Sequence, residues 1–193
     1  MSDGSRTRRR GAALETALLA AAWAEVKSAG YAGLTFEAVA ERAGTSRAVL
    51  YRRWRSRPEI FIAALRQHSP LLSGEIPDTG SLRGDVLAVL RRMAIRLTEV
   101  GTENVAGLLG DVLADAEVFD RLHDQVVLIG AEVMTTMLKR ATDRGEARPD
   151  VSIRIATLPT DLFRHNLLVN RRPPSDGELI EIVDDIFLPL VRP

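Results

Sequence analysis

The chain has 193 residues and no cysteine, and its 26 lysines and arginines balance its 26 aspartates and glutamates. This is length enough for one or two domains with a proper core, and the missing cysteine excludes a disulfide framework, a thiolate metal site and a thiol nucleophile. A 46% apolar and 27% charged composition is that of a folded, water-soluble chain; Glu15 and Glu25 break up the apolar run behind the basic N-terminus, and no stretch nears the roughly 18 apolar residues of a membrane span, so a cytoplasmic protein with no membrane partner is expected.

Residues 12–29 place Leu14, Leu18, Ala22 and Val26 at four-residue spacing, with Ala17 and Ala21 beside them, so the spacing predicts a first helix with one apolar stripe, stopped at Gly30. After "GYAGLT", Thr35 can cap a short second helix over 36–43 with Val39, Ala40 and Ala43 on its inward face, and Gly44 permits a tight turn. A third helix is predicted over 46–53, burying Leu50, with Trp54 one turn later. In "SRPE" at 56–59, Ser56 caps, Pro58 suits a first turn and Glu59 completes a capping box for a fourth helix carrying Ile60, Phe61, Ala64 and Leu65. "SPLLSGEIPDTG", 69–80, reads as a linker. Further helices are predicted at 81–100, 103–114, 116–144, 152–170 and 176–190, with Pro159 expected to kink the eighth. No period-two pattern or hairpin signal occurs, so the fold class is all-α with about nine helices: an N-terminal domain over 1–68 and a second helical domain over 69–193.

The zero net charge hides a segregation. Residues 1–67 hold twelve basic and six acidic side chains, for +6, while 68–193 hold fourteen and twenty, for −6. A basic front third is what a region facing a polyanion requires. Six arginines fall between residues 40 and 61 alone, interleaved with Tyr51, Trp54 and Phe61.

Two short helices joined by a glycine-containing turn form a helix-turn-helix, whose second helix enters the DNA major groove. Val39 and Leu50 fit its buried positions, Ala40 its crossing point and Gly44 its turn. Arg47 then stands at the exposed start of the third helix, suited to two parallel hydrogen bonds to guanine, and Ala48 can touch a thymine methyl. Tyr51 reaches phosphate with its hydroxyl, and Arg52 or Arg53 projects from the same turn. Thr35, Thr45 and Ser46 add phosphate donors at helix starts, and Arg57 faces phosphate from the start of the fourth helix. Trp54 and Phe61 suit the core. The "RTRRR" run at 6–10 suits either a groove-tracking arm or a disordered tail.

The segment "LTFEAVAERAGTSRAVLYRRWRSRPEIFIAAL" resembles the N-terminal DNA-binding region of the TetR family of transcriptional regulators, through Thr35, Val39, Ala40, Ala43, Gly44, Ser46, Leu50, Tyr51, Trp54, Ser56 and Arg57. Thr45 departs from the commoner Val, Arg53 from a frequent His, Arg57 from Lys, and Ala48-Val49 from Gly-Thr; DNA contact is still expected at 48 and 49. The resemblance covers about the first third, and "RGEARPD" before the eighth helix looks like a C-terminal domain type of some TetR-like proteins. It implies a homodimer on a palindromic double-stranded operator, most often repressing, with a small-molecule effector enclosed by helices four to seven. Met93, Leu97, Leu109, Phe119, His123, Val127 and Phe163 are candidates for that pocket, and their mainly apolar character suits an apolar or aromatic effector. Leu162, Leu167, Val183, Ile186, Phe187 and Leu190, with Phe163, Val169 and Ile182, offer more apolar surface than two terminal helices bury alone, and are expected to serve both a dimer interface and the internal core.

Two other readings use fewer of these features. A helical metalloenzyme needs repeated Glu-x-x-His pairs, whereas the chain has Asp120-x-x-His123 and an isolated Asp161 and His165, so neither catalysis nor a cofactor is expected. An effector-sensing or interaction protein without specific DNA binding leaves the arginine-rich elbow unused.

Overall fold

The computed structural model describes residues 3–68 and 75–193, with side chains described except over 3–10 and 123–129. Every regular element among them is helical. The first, α1 (Asp3–Gly33), begins well before the predicted residue 12, so its backbone takes in the arginine-rich run at 6–10. Leu18, Leu19, Ala21, Ala22 and Val26 are buried along its inner side, while Leu14, one turn earlier, is exposed. Gly30 leaves helical geometry at φ 71° and ψ 178°, as the sequence predicts, and a last turn follows.

Next come α2 (Phe36–Arg42), α3 (Arg47–Tyr51) and α4 (Arg57–His68). Thr35 caps α2, its Oγ1 accepting from the Ala38 N–H at 3.1 Å. At the start of α4, Ser56 Oγ accepts from the Glu59 N–H at 3.4 Å, whereas Glu59 Oε2 accepts from Arg55 N–H at 2.7 Å. The reciprocal half of the expected capping box is thus displaced one residue upstream. Helix α4 packs along α1, where Trp23 stacks on His68 with ring centroids 5.6 Å apart.

The remaining elements are α5 (Leu82–Val100), α6 (Thr102–Ala114), α7 (Ala116–Asp143), α8 (Ile153–Asn170), α9 (Asp176–Glu181), a π-helical stretch (Ile182–Phe187) and α10 (Leu188–Val191). Ser81, Ser152 and Ser175 cap α5, α8 and α9, the last with Glu178 in a full capping box. Helix α8 continues through Pro159. The π-helical stretch has a cause in the sequence: Pro189 has no N–H to offer the carbonyl of Asp185, so the helix widens by one residue and the Leu188 N–H reaches Val183 instead. Where one helix over 176–190 is predicted, the backbone is continuous but its hydrogen-bond register shifts.

The chain forms two compact units, Met1–Ser73 with Glu103–Asp120, and Gly74–Thr102 with Arg121–Pro193. Helix α6, which follows the predicted boundary near 68 in the chain, packs with the first of these units. In the second unit α5 packs on α8, α9 and the π-helical stretch. Arg83 is paired with Asp184 at 2.7 Å and Arg91 with Asp176 at 2.6 Å. No helix among the described residues is long and apolar enough to cross a membrane.

Candidate nucleic-acid interface

The elbow between α2 and α3 is closed by its own backbone. Gly44 has φ +61°, the Thr45 N–H donates to Ala40 O at 2.9 Å, and the Gly44 N–H donates to Glu41 O at 3.1 Å. This is the glycine-terminated helix end that satisfies the last carbonyls of α2. No other atom crowds Gly44, so its requirement is conformational rather than spatial. Val39, Ala40 and Leu50 are buried at the crossing, and Phe36 packs edge-on against the Tyr51 ring at 4.6 Å. A small residue at position 40 lets the two short helices meet.

What faces outward is the set the sequence singles out. Thr35, Ser46, Arg47, Ala48, Tyr51, Arg52 and Arg53 are all exposed, and Thr45 and Val49 partly so. The Arg47 side chain is 61% exposed and Tyr51 56%. Helix α3 is shorter than the predicted 46–53: Arg52 is its cap, and Arg53 lies on the turn behind it, within reach of Gly11 O at 3.5 Å. Ser46 precedes α3, is exposed, and makes no capping hydrogen bond with its side chain.

The six arginines of this stretch divide by partner. Arg42 is tied to the buried Glu25 and is thus structural. Arg47 pairs with Glu37, itself 55% exposed; hydrogen bonding from Arg47 holds the Glu37 carboxyl below its usual range, and Glu37 in turn raises Arg47. Arg52, Arg53 and Arg55 are exposed on the turn leading to α4. Arg57 stands apart, because its guanidinium, 35% exposed, donates from Nε at 2.9 Å and Nη2 at 2.7 Å to Asp111 Oδ2 on α6.

Sequence reasoning missed the surroundings of Arg57. Tyr31, in the "GYAGLT" break, is buried; its hydroxyl donates to Asp111 Oδ2 at 2.9 Å, and the Arg57 guanidinium lies 4.6 Å over its ring. Burial first, then the hydrogen bond to Asp111 and its negative charge, push the Tyr31 phenol above its ordinary value. The Tyr31 N–H donates to Asn104 Oδ1 at 2.7 Å, and Gly107 is so close that a Cβ there would meet Tyr31 Cδ1 at 2.7 Å. Asn104, Gly107 and Asp111 recur at helical spacing along one face of an otherwise apolar helix, and that interruption was the available signal.

The candidate pocket and interface residues distribute unevenly. Leu109 and Phe119 lie in the first unit, Met93, Leu97 and Phe163 in the second, and the side chains of His123 and Val127 lie outside the described residues. Of the terminal apolar set, Phe163, Ile182, Val183 and Phe187 are buried within the single chain, and so are core. Leu162 and Leu167 are half-buried, while Val169, Ile186 and Leu190 are exposed, joined by Leu168 and Ile153.

Comparison with known proteins agrees with this geometry. Residues 18–64 match the family described as bacterial regulatory proteins, tetR family, and residues 76–186 match the tetracyclin repressor-like C-terminal domain. The chain is 29% identical to a DNA-binding transcriptional repressor TetR of Mycobacteroides abscessus, over 95% of this chain and 97% of that one. It is 31% identical to an uncharacterised HTH-type transcriptional regulator of Mycobacterium tuberculosis, over 91% and 86%. A crystal structure of a TetR family transcription regulator superposes with a TM-score of 0.75 at 28% identity, covering 93% of this chain and 99% of that one. With a basic, glycine-closed elbow in front and a matching C-terminal half behind, the chain belongs to the TetR family of helix-turn-helix, DNA-binding transcriptional regulators.

Proposed function

We propose that the protein is a homodimeric repressor that reads a palindromic duplex site with the outer face of α3 and leaves it when a small molecule binds. The observation that carries this reading is the exposure of Arg47 and Tyr51 on a helix fixed by the Gly44 elbow. Arg47 reads a guanine edge, Ala48 and Val49 contact neighbouring bases, and Thr35, Thr45, Ser46, Tyr51, Arg52 and Arg53 hold phosphates. The Arg47–Glu37 pair is no obstacle, since both partners are largely in water, so Arg47 can leave the carboxylate for a guanine edge while Glu37 is solvated.

Dimerisation is supported by the apolar residues that the second unit leaves in water, Leu168 and Val169 at the end of α8 and Ile186 and Leu190 at the chain end. Two copies related by a two-fold axis present two recognition helices to half-sites one or more helical turns apart. The effector is apolar or aromatic, bound in part by Met93, Leu97 and Phe163, and it releases DNA by favouring the non-binding state. The test is selection of duplex fragments from a genomic or random pool by the purified protein. The expected result is an inverted repeat with fixed half-site spacing; recovery of fragments sharing no sequence overturns the reading in favour of a sensor or interaction protein without specific DNA binding.

A further inference from the structure

One acidic oxygen in the first unit gathers three donors. Asp111 Oδ2 accepts from Arg57 Nε, Arg57 Nη2 and the Tyr31 hydroxyl, all within 2.9 Å. The two residues so joined bracket the helix-turn-helix: Tyr31 precedes α2, and Arg57 opens α4 directly after the α3 turn. Everything that reads DNA in the proposal above lies between them.

We infer that Arg57 is a positioning residue rather than a phosphate contact: with Tyr31 it closes the segment 32–56 onto Asp111, so that α6 holds both ends of the helix-turn-helix at once. A phosphate reaching Arg57 has to displace a carboxylate oxygen from two charge-assisted hydrogen bonds and then sit beside it as a like charge. It also has to draw the guanidinium off the Tyr31 ring. Arg47 faces neither cost, because its partner Glu37 is exposed and free to turn away. The α6 side is fixed in its turn, by Asn104 Oδ1 on the Tyr31 N–H and by Gly107 under the Tyr31 ring. A lysine at 57 retains a charge for phosphate but cannot supply the planar fork or the same stacking, so it separates the two roles.

The inference rests on the DNA-reading proposal, and its test keeps the two apart. Duplexes selected by the wild-type full-length protein are titrated over a series of salt concentrations with Arg57→Lys, Arg57→Gln, Asp111→Asn and the Arg57→Gln/Asp111→Asn double variant. Each single variant is expected to bind about tenfold more weakly, Asp111→Asn included although it removes a negative charge, and the double variant no more weakly than the singles. The slope of log K against log salt stays at the wild-type value. A slope shallower by about 0.9 for Arg57→Gln, restored by Arg57→Lys, with tighter binding by Asp111→Asn, makes Arg57 a phosphate contact and overturns the inference. Thermal unfolding of the same proteins without DNA is expected to show non-additive effects at 57 and 111; strict additivity also overturns it. Should Asp111→Asn not fold, Tyr31→Phe removes one of the three donors with little change of shape, and is expected to weaken binding a few-fold at unchanged slope; wild-type affinity counts against the tie. If the wild-type protein selects no sequence, it is the DNA-reading proposal that falls, while the unfolding cycle still decides whether the tie exists.

Discussion

Arg47 and Arg57 sit on either side of the same turn and each is bonded to a carboxylate, yet the two sites differ in nearly every physical respect. Arg47 and Glu37 are both more than half exposed, come from neighbouring helices, and leave the arginine facing solvent. Arg57 and Asp111 are each about one-third exposed, lie far apart in sequence, and share their contact with a buried phenol. An exposed pair exchanges partners readily, because water solvates each charge as it opens. A half-buried one resists exchange, because opening it strands a charge in a poorer solvent. The comparison separates Arg47, which can release its carboxylate into water, from Arg57, which is held in a half-buried network with Asp111 and Tyr31.

The largest expected effect comes from breaking the reading side alone. Ala40→Leu forces α2 and α3 apart at their crossing, at a cost of about 1–3 kcal/mol in stability. In fluorescence-anisotropy titrations its affinity for the selected duplex is expected to fall to the non-specific level, a loss of about a thousandfold or more; retained specificity would mean that α3 is not the reader. Next, Arg47→Ala is expected to relax preference at one base pair by about ten- to a hundredfold while leaving the other positions unchanged, as measured on a panel of single-substitution duplexes.

On the holding side, Gly107→Ala places a methyl against the Tyr31 ring, and is expected to lower the unfolding free energy by about 1–2 kcal/mol in urea melts. The tie also has its own pH signature. The folded state raises the Tyr31 pKa, chiefly by burial, so the unfolded chain loses that proton first as the solution becomes alkaline. The contribution is therefore complete below the ordinary tyrosine value near 10 and declines as pH rises through the folded value. Wild-type stability should fall more steeply than that of Tyr31→Phe above about pH 10, and parallel curves would argue against a buried phenol donor. The smallest effect belongs to Glu37→Gln, which frees Arg47 and is expected to tighten binding about twofold at low salt.

The sequence announces the reading side more fully than the holding side, and the reason is separation along the chain. Thr35, Val39, Ala40, Gly44 and Leu50 lie within a few turns of one another, so spacing and residue type alone expose the elbow. Tyr31 meets Asn104 and Asp111 across more than seventy residues, and no local periodicity records such a meeting. The packing of α6 with the first unit is hidden for the same reason, since a linker at 69–80 marks where the chain leaves that unit but not where it returns. Arg57 carries the right charge at the right helical position for phosphate, and only the carboxylate opposite it separates that role from the one proposed here. In the C-terminal half, apolar pattern identified the terminal helices but could not divide Val183 and Phe187, which are core, from Ile186 and Leu190, which are not.

The widened turn near the chain end has a geometric consequence for that last division. Leu179, Val183, Phe187 and Val191 are all buried at four-residue intervals, and in a uniform α-helix such a series spirals by about 40° at each step. Spending one extra residue in the π-helical stretch takes up most of that drift, so the row runs nearly parallel to the axis. The parallel row through Ile186 and Leu190 is straightened with it. A straight ridge can lie flat along its own image after a half-turn rotation, whereas a spiralling one touches at a single crossing, so the homodimer proposed above would draw the flatness of its seam from a lone proline at 189.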